Sequence, residues 1–166
     1  MLEHKMEETG EEILNKYSAP CREELYKQGK ISEEQYQKSQ EYQRRNQTPP
    51  REFLEELHPK AIKDMKEFAE ICKADMWKPK QMRNFWINYH NQKVKELNAP
   101  DQEKEICKVK IAKIIEIQRQ VANFPVYTAE IKNNSKKITK ILGKYFSDAK
   151  PNDYISVHWN CAIEKI

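Results

Sequence analysis

Apolar side chains recur at helical spacing along much of this 166-residue chain. Between residues 59 and 72 they fall every three or four positions, which predicts an amphipathic helix of about four turns. Shorter helices are predicted over residues 5–17 and 21–28, a mostly polar helix over 32–45 and a further helix over 78–97, with breaks at 18–20, Gly29 and the linker 46–50. Ser32 is typical of a helix N-cap, and Pro50 and Pro59 are typical of first helical positions.

The C-terminal third of the chain predicts a helical hairpin. Residues 102–123 contain regularly spaced isoleucines and valines, and residues 128–147 form a second apolar pattern, so the two segments are expected to pair as antiparallel helices. In the tail, residues 154–159 alternate polar and apolar, which favours a short strand, although a docked extended segment fits as well. We therefore predict an all-α fold, divided into an acidic helical extension (1–49), a three-helix domain (50–98) and a hairpin with its tail (99–166).

Composition excludes several classes of protein. Only three glycines are present, whereas phosphate-cradling loops and nucleophile elbows depend on glycine. No pair of the four cysteines has metal-ligand spacing, and no signal peptide or apolar stretch of membrane-spanning length occurs. We expect reduced thiols in a nuclear or cytoplasmic protein that is not an enzyme, with no cofactor, metal site, small-molecule substrate or membrane contact.

Charge is distributed unevenly. Residues 1–56 contain nine Lys/Arg and 13 Asp/Glu, whereas residues 57–166 contain 21 and 13. The N-terminal part is acidic and the remainder is basic, which indicates that residues 57–166 contact a polyanion, although solvated helix faces explain the charge as well.

The segment 78–97 contains the candidate chemistry. On a helix, one face would present Asn84, Ile87, Asn88, Asn91 and Lys95, with Lys80, Arg83, His90 and Lys93 beside them. Asparagine can pair with the N6 and N7 edge of adenine in the major groove, and the basic residues can neutralise phosphates. These nine residues are the predicted DNA-binding site.

The stretch Gln81-Met-Arg-Asn-Phe-Trp-Ile-Asn88 resembles the recognition helix of homeodomains, with its aromatic pair reversed. In that family the residue matching Asn88 reads adenine, so the resemblance implies a homeodomain-like helix-turn-helix. It covers about 45 residues, and the family's paired arginines are replaced by Tyr89 and His90. Myb/SANT-type and SWIRM-type modules are rival resemblances.

In size and plan the chain is also similar to small accessory subunits of multi-subunit DNA N6-adenine methyltransferase complexes. That resemblance implies a DNA-binding subunit that positions a partner complex on duplex DNA, in the nucleus. The alternative is a helical scaffold protein without a nucleic-acid role, which the isoleucines of the predicted hairpin favour. An enzyme of unfamiliar type is the third hypothesis.

Overall fold

The computed structural model describes residues 7–118, 123–133 and 135–166, and it is a mixed helical and β structure. The chain divides into two compact units, Met1–Phe85 and Trp86–Ile166. The second unit contains a closed five-stranded barrel, so the prediction of an all-α fold is wrong. No helix in the described ranges is both long and apolar enough to cross a bilayer.

The first unit is a helical bundle. Its five helices are α1 (Gly10–Lys27), α2 (Glu33–Arg44), α3 (Arg51–Leu57), α4 (Pro59–Cys72) and α5 (Pro79–Asn84). Helix α1 packs on α2, α3 and α5. Fully buried side chains of this unit include Ile13, Leu14, Tyr17, Leu54, Met65 and Met82.

Local signals located most of these helix ends correctly. Ser32 caps α2 in a reciprocal capping box with Gln35, and Gly29, with a φ of 68°, follows the end of α1. The predicted break at residues 18–20 is wrong, because α1 continues through Pro20. A proline inside a helix destabilises it by about 3 kcal/mol. The buried face of α1 on either side of Pro20 offsets that cost.

The predicted helix 78–97 is interrupted in its middle. Helix α5 ends at Asn84, a π-helical turn spans Phe85–Tyr89, and α6 runs from His90 to Lys95. A π-turn contains one more residue than an α-turn, so later residues take faces shifted by one position. Val94 is consequently buried on the same side as Trp86, although an unbroken α-helix would turn these two residues apart.

The second unit continues with α7 (Asp101–Cys107) and the strands β1 (Lys110–Gln118), β2 (Val126–Ile131), β3 (Ile138–Leu142), β4 (Tyr154–His158) and β5 (Cys161–Lys165). The strand order around the barrel is β1-β2-β3-β5-β4, closed by the antiparallel pair β1–β4. Strands β1 to β3 form a meander and β4 returns beside β1, which is a Greek key. Among the strand pairs of the described residues, only β3 and β5 run parallel.

The barrel interior explains why these segments form strands. Tyr127, Ala129 and Ile131 alternate along β2 and are buried with Ile114 and Ile155. Segments rich in β-branched residues favour a pleated sheet when one face is covered. A bulge between Ile114 and Glu116 leaves Ile115 exposed, so the isoleucines of β1 imitate helical spacing.

The predicted helix 102–123 is therefore a short helix followed by β1, and its last residues, 119–122, lie outside the described ones. The predicted helix 128–147 consists of parts of two strands and their connections. The tail does form strands, as its alternation favoured. A chain with this barrel is not a homeodomain-like helix-turn-helix protein, so that resemblance is wrong, and the all-α and homeobox descriptions fail with it.

Candidate metal centre

Three side chains of the second unit converge on a small volume. His90 is the first residue of α6, Cys107 is the last of α7 and His158 is the last of β4. The ring nitrogens and the sulfur that could bind a metal all lie within 4.8 Å of one another. Cys107 Sγ and His158 Nε2 lie 4.0 Å apart. Imidazole nitrogen and thiolate sulfur are the preferred donors of zinc and related ions.

An asparagine fixes His90 relative to Cys107. Asn91, which follows His90, donates from Nδ2 to the Val109 carbonyl at 2.7 Å and accepts from the Val109 N–H at 2.8 Å. Val109 lies two residues after Cys107. This paired amide contact therefore joins α6 to the chain that leaves α7.

A second contact fixes Cys107 relative to His158. The Trp159 N–H donates to the carbonyl of Ile106 at 3.2 Å. Trp159 follows His158 and Ile106 precedes Cys107, so each residue of the pair adjoins a possible ligand. Trp159 and Asn160 both have positive φ values, 52° and 57°, in the two-residue turn between β4 and β5. Positive φ at both central residues is what a two-residue type I′ hairpin turn requires, and this turn fixes the end of β4 that contains His158.

The indole ring of Trp86 packs against both imidazoles. Its ring centroid lies 4.8 Å from that of His90 and 5.6 Å from that of His158, and the two imidazoles meet edge to face at 5.1 Å. Trp86 is 2% exposed and His158 is fully buried, whereas His90 and Cys107 are half-buried. An ion or an external ligand can therefore approach from solvent beside these two residues.

The donor atoms must move closer together to bind a tetrahedral ion. With bonds of about 2.05 Å to nitrogen and 2.3 Å to sulfur, neighbouring donors are about 3.4–3.6 Å apart. The Cys107–His158 pair must close by about 0.4 Å from its 4.0 Å separation to reach that geometry, and donor atoms at the 4.8 Å limit must close by about 1.4 Å.

Searches with this chain find no matching protein-family model, no matching characterised protein and no matching solved structure.

The residues predicted to bind DNA lie in several different environments. Asn91 is engaged with Val109, His90 faces Trp86 and His158, and Arg83 pairs with Glu8. The Lys93 side chain is 14% exposed and bonds to Glu96. The others are exposed or partly exposed: Lys80, Asn84, Ile87, Asn88 and Lys95. Their role in DNA binding stays a prediction.

Sequence inspection missed the convergence because the three residues are far apart in the chain. Cys107 and His158 are separated by 51 positions, and His90 lies 17 positions before Cys107. Zinc motifs are recognised when ligands occur in pairs two to five residues apart, which this chain lacks. Cys107 falls inside the predicted helix 102–123, whereas in the structure it ends α7 and is half-buried.

Proposed function

We propose that the protein binds a divalent transition-metal ion through His90, Cys107 and His158. The observation that supports this function is the convergence of two imidazoles and a thiol, all within 4.8 Å. Three donors leave one tetrahedral position for water or an exogenous ligand, which is the arrangement of reactive zinc sites rather than closed structural ones.

The donor set limits the kind of ion. A thiolate and two imidazoles favour Zn²⁺, Co²⁺, Fe²⁺ or copper over Mg²⁺ and Ca²⁺, which prefer oxygen ligands. Trp86 packs against both imidazoles and His158 is fully buried, so the charge of a bound ion is screened less on that side than in bulk solvent. Zn²⁺ is the appropriate first probe, because it has no redox chemistry and tolerates contraction of the site without a fixed geometric preference.

A cysteine beside a histidine can also act as a nucleophile, with the imidazole taking the thiol proton. The second imidazole, His90, favours metal binding. A nucleophilic pair needs a third group that orients its base through a hydrogen bond, whereas a further metal-binding nitrogen is what a metal site needs. Alkylation by iodoacetamide separates the two functions. A nucleophilic Cys107 reacts rapidly in metal-free protein, and a metal-bound Cys107 is protected when Zn²⁺ is added.

Isothermal titration with Zn²⁺ tests the proposal on the full chain. We expect one ion per chain in the wild-type protein. His90→Ala, Cys107→Ser and His158→Ala should each weaken binding by at least about 10–100-fold, the loss that removal of a mere outer-shell partner gives.

Cys72→Ser is the matched control, because Cys72 is an exposed thiol of α4. This variant should bind Zn²⁺ as the wild type does. Circular dichroism of each variant distinguishes loss of a ligand from loss of the fold. The proposal is wrong if folded Cys107→Ser retains wild-type affinity, or if Cys72→Ser reduces binding as much as the site variants.

A further inference from the structure

An exposed tyrosine at the start of β4 lies between two lysines. Tyr154 is 40% exposed, and Lys113 Nζ and Lys132 Nζ lie 6.0 and 5.2 Å from the centroid of its ring. Lys113 is its direct partner across the β1–β4 ladder, and Lys132 follows β2. Three strands of the barrel therefore hold one aromatic ring and two cations together.

Neither lysine forms an ion pair with any residue that the structure describes. Elsewhere in this unit Lys108 and Lys110 pair with Glu105, and Lys165 pairs with Asp153. No carboxylate lies within ion-pairing distance of Lys113 or Lys132 in the part of the chain that the structure describes. Their charge is therefore available to an anionic ligand.

The surroundings extend the positive surface. The β2–β3 connection adds exposed Lys136 and Lys137, followed by Ile138 at 60% exposure. Residues 108–166 contain 11 Lys/Arg and five Asp/Glu, a net charge of +6. Glu130, opposite Lys113 in the β1–β2 ladder, is the acid of this row and is partly buried. We call Tyr154, Lys113, Lys132, Lys136 and Lys137 the Tyr154 surface.

We propose that the Tyr154 surface binds single-stranded nucleic acid, independently of the metal centre. An unpaired base can stack on a tyrosine ring, and lysines beside the ring can contact the flanking phosphates. The ammonium groups lie at the outer limit of a cation–π contact, so they can turn to phosphates while a base occupies the ring. A duplex hides its base faces and cannot use the ring in this way.

Fluorescence anisotropy tests the proposal with the full chain and labelled oligonucleotides: a 12-nucleotide oligo-dT, the same length of oligo-U and a matched duplex. We expect both single strands to bind more tightly than the duplex. Tyr154→Ala should weaken single-strand binding by about 5–150-fold, the range for loss of one stacked base, while Tyr154→Phe keeps it. The double variant Lys113→Gln/Lys132→Gln should reduce the slope of log affinity against log salt by about 1.4.

The matched control is Lys63→Gln/Lys66→Gln, which removes two lysines of α4 with the same change in net charge. It should leave single-strand affinity within about twofold, whereas a purely non-specific interaction would weaken equally in both double variants. The proposal is overturned if wild type binds no single strand, or if Tyr154→Ala binds as the wild type does. It is also overturned if the duplex, or vesicles of anionic phospholipid, bind more tightly than the single strands.

Discussion

Replacement of Asn91 by alanine should destabilise the second unit and weaken metal binding without removing a ligand. Asn91 makes two short hydrogen bonds to Val109, at 2.7 and 2.8 Å, and it is partly buried. Each such bond contributes about 0.5–1.5 kcal/mol net, and a buried backbone group left without its partner adds about 1–3 kcal/mol. Because water can reach part of this site, we expect a loss of about 2–3 kcal/mol in the free energy of unfolding.

Amide hydrogen exchange of β1 and β4 measures this loss, since it reports on the barrel even if the two units unfold separately. Asn88→Ala is the matched control, because Asn88 is an exposed asparagine in the same segment. Its exchange should change by less than about 0.5 kcal/mol. Zn²⁺ affinity of Asn91→Ala should fall while its stoichiometry stays at one. Equal exchange rates in the two variants would refute the idea that Asn91 joins α6 to the barrel.

Three further substitutions probe the packing and the electrostatics. Gly10→Ala should destabilise the first unit by about 1–3 kcal/mol in a urea melt, because a Cβ there would lie 2.0 Å from the Trp77 carbonyl oxygen; an unchanged midpoint would contradict that packing. Gly143→Ala should destabilise the barrel by about 1–3 kcal/mol, because its Cβ would lie 2.6 Å from Pro125 Cγ. Hydrogen exchange in β2 and β3 at the wild-type rate would contradict this prediction. Asp153 accepts hydrogen bonds from Lys165 Nζ and the Lys150 N–H, and these hold the pKa of its carboxyl below the ordinary 3.8. The contribution of the Asp153 carboxylate to stability is therefore present above about pH 3.8 and is lost as the pH falls through the pKa of the folded protein. Asp153→Asn should lower the urea midpoint at pH 7, and the midpoints of variant and wild type should become equal in acid.

Local sequence signals predicted the first unit well because its elements depend on local chemistry. The capping box of Ser32 and the positive φ of Gly29 each involve only neighbouring residues. Pro20 shows where local signals fail. The destabilising effect of this proline on α1 is outweighed by packing of the helix against residues far away in the chain, and a short window of sequence contains no information about that packing.

The barrel was missed because its strands imitate helical periodicity. The bulge at Ile114–Glu116 places apolar residues at 114, 115 and 117, where an unbroken strand would alternate. In β2, strict alternation was present, with Tyr127, Ala129 and Ile131 facing inward, but only six residues long. Short runs of this kind are ambiguous until a sheet supplies the partner strands.

The candidate site was unpredictable for a topological reason. Its three donors come from two helices and a strand, and they meet only because the Greek key returns β4 beside β1, close to the end of α7. The asparagines of the segment 78–97 were predicted to read adenine. One of them, Asn91, bonds to the backbone of Val109 and thereby positions the chain beside the proposed metal ligands.

X-ray absorption at the zinc edge, on the full chain loaded with one equivalent of Zn²⁺, tests the central claim most directly. We predict one sulfur at about 2.3 Å, two imidazole nitrogens at about 2.0–2.1 Å, and one further light atom. The sulfur shell should disappear in Cys107→Ser and persist in Cys72→Ser. A first shell of oxygens alone, or a sulfur shell that survives in Cys107→Ser, would contradict a metal centre at His90, Cys107 and His158.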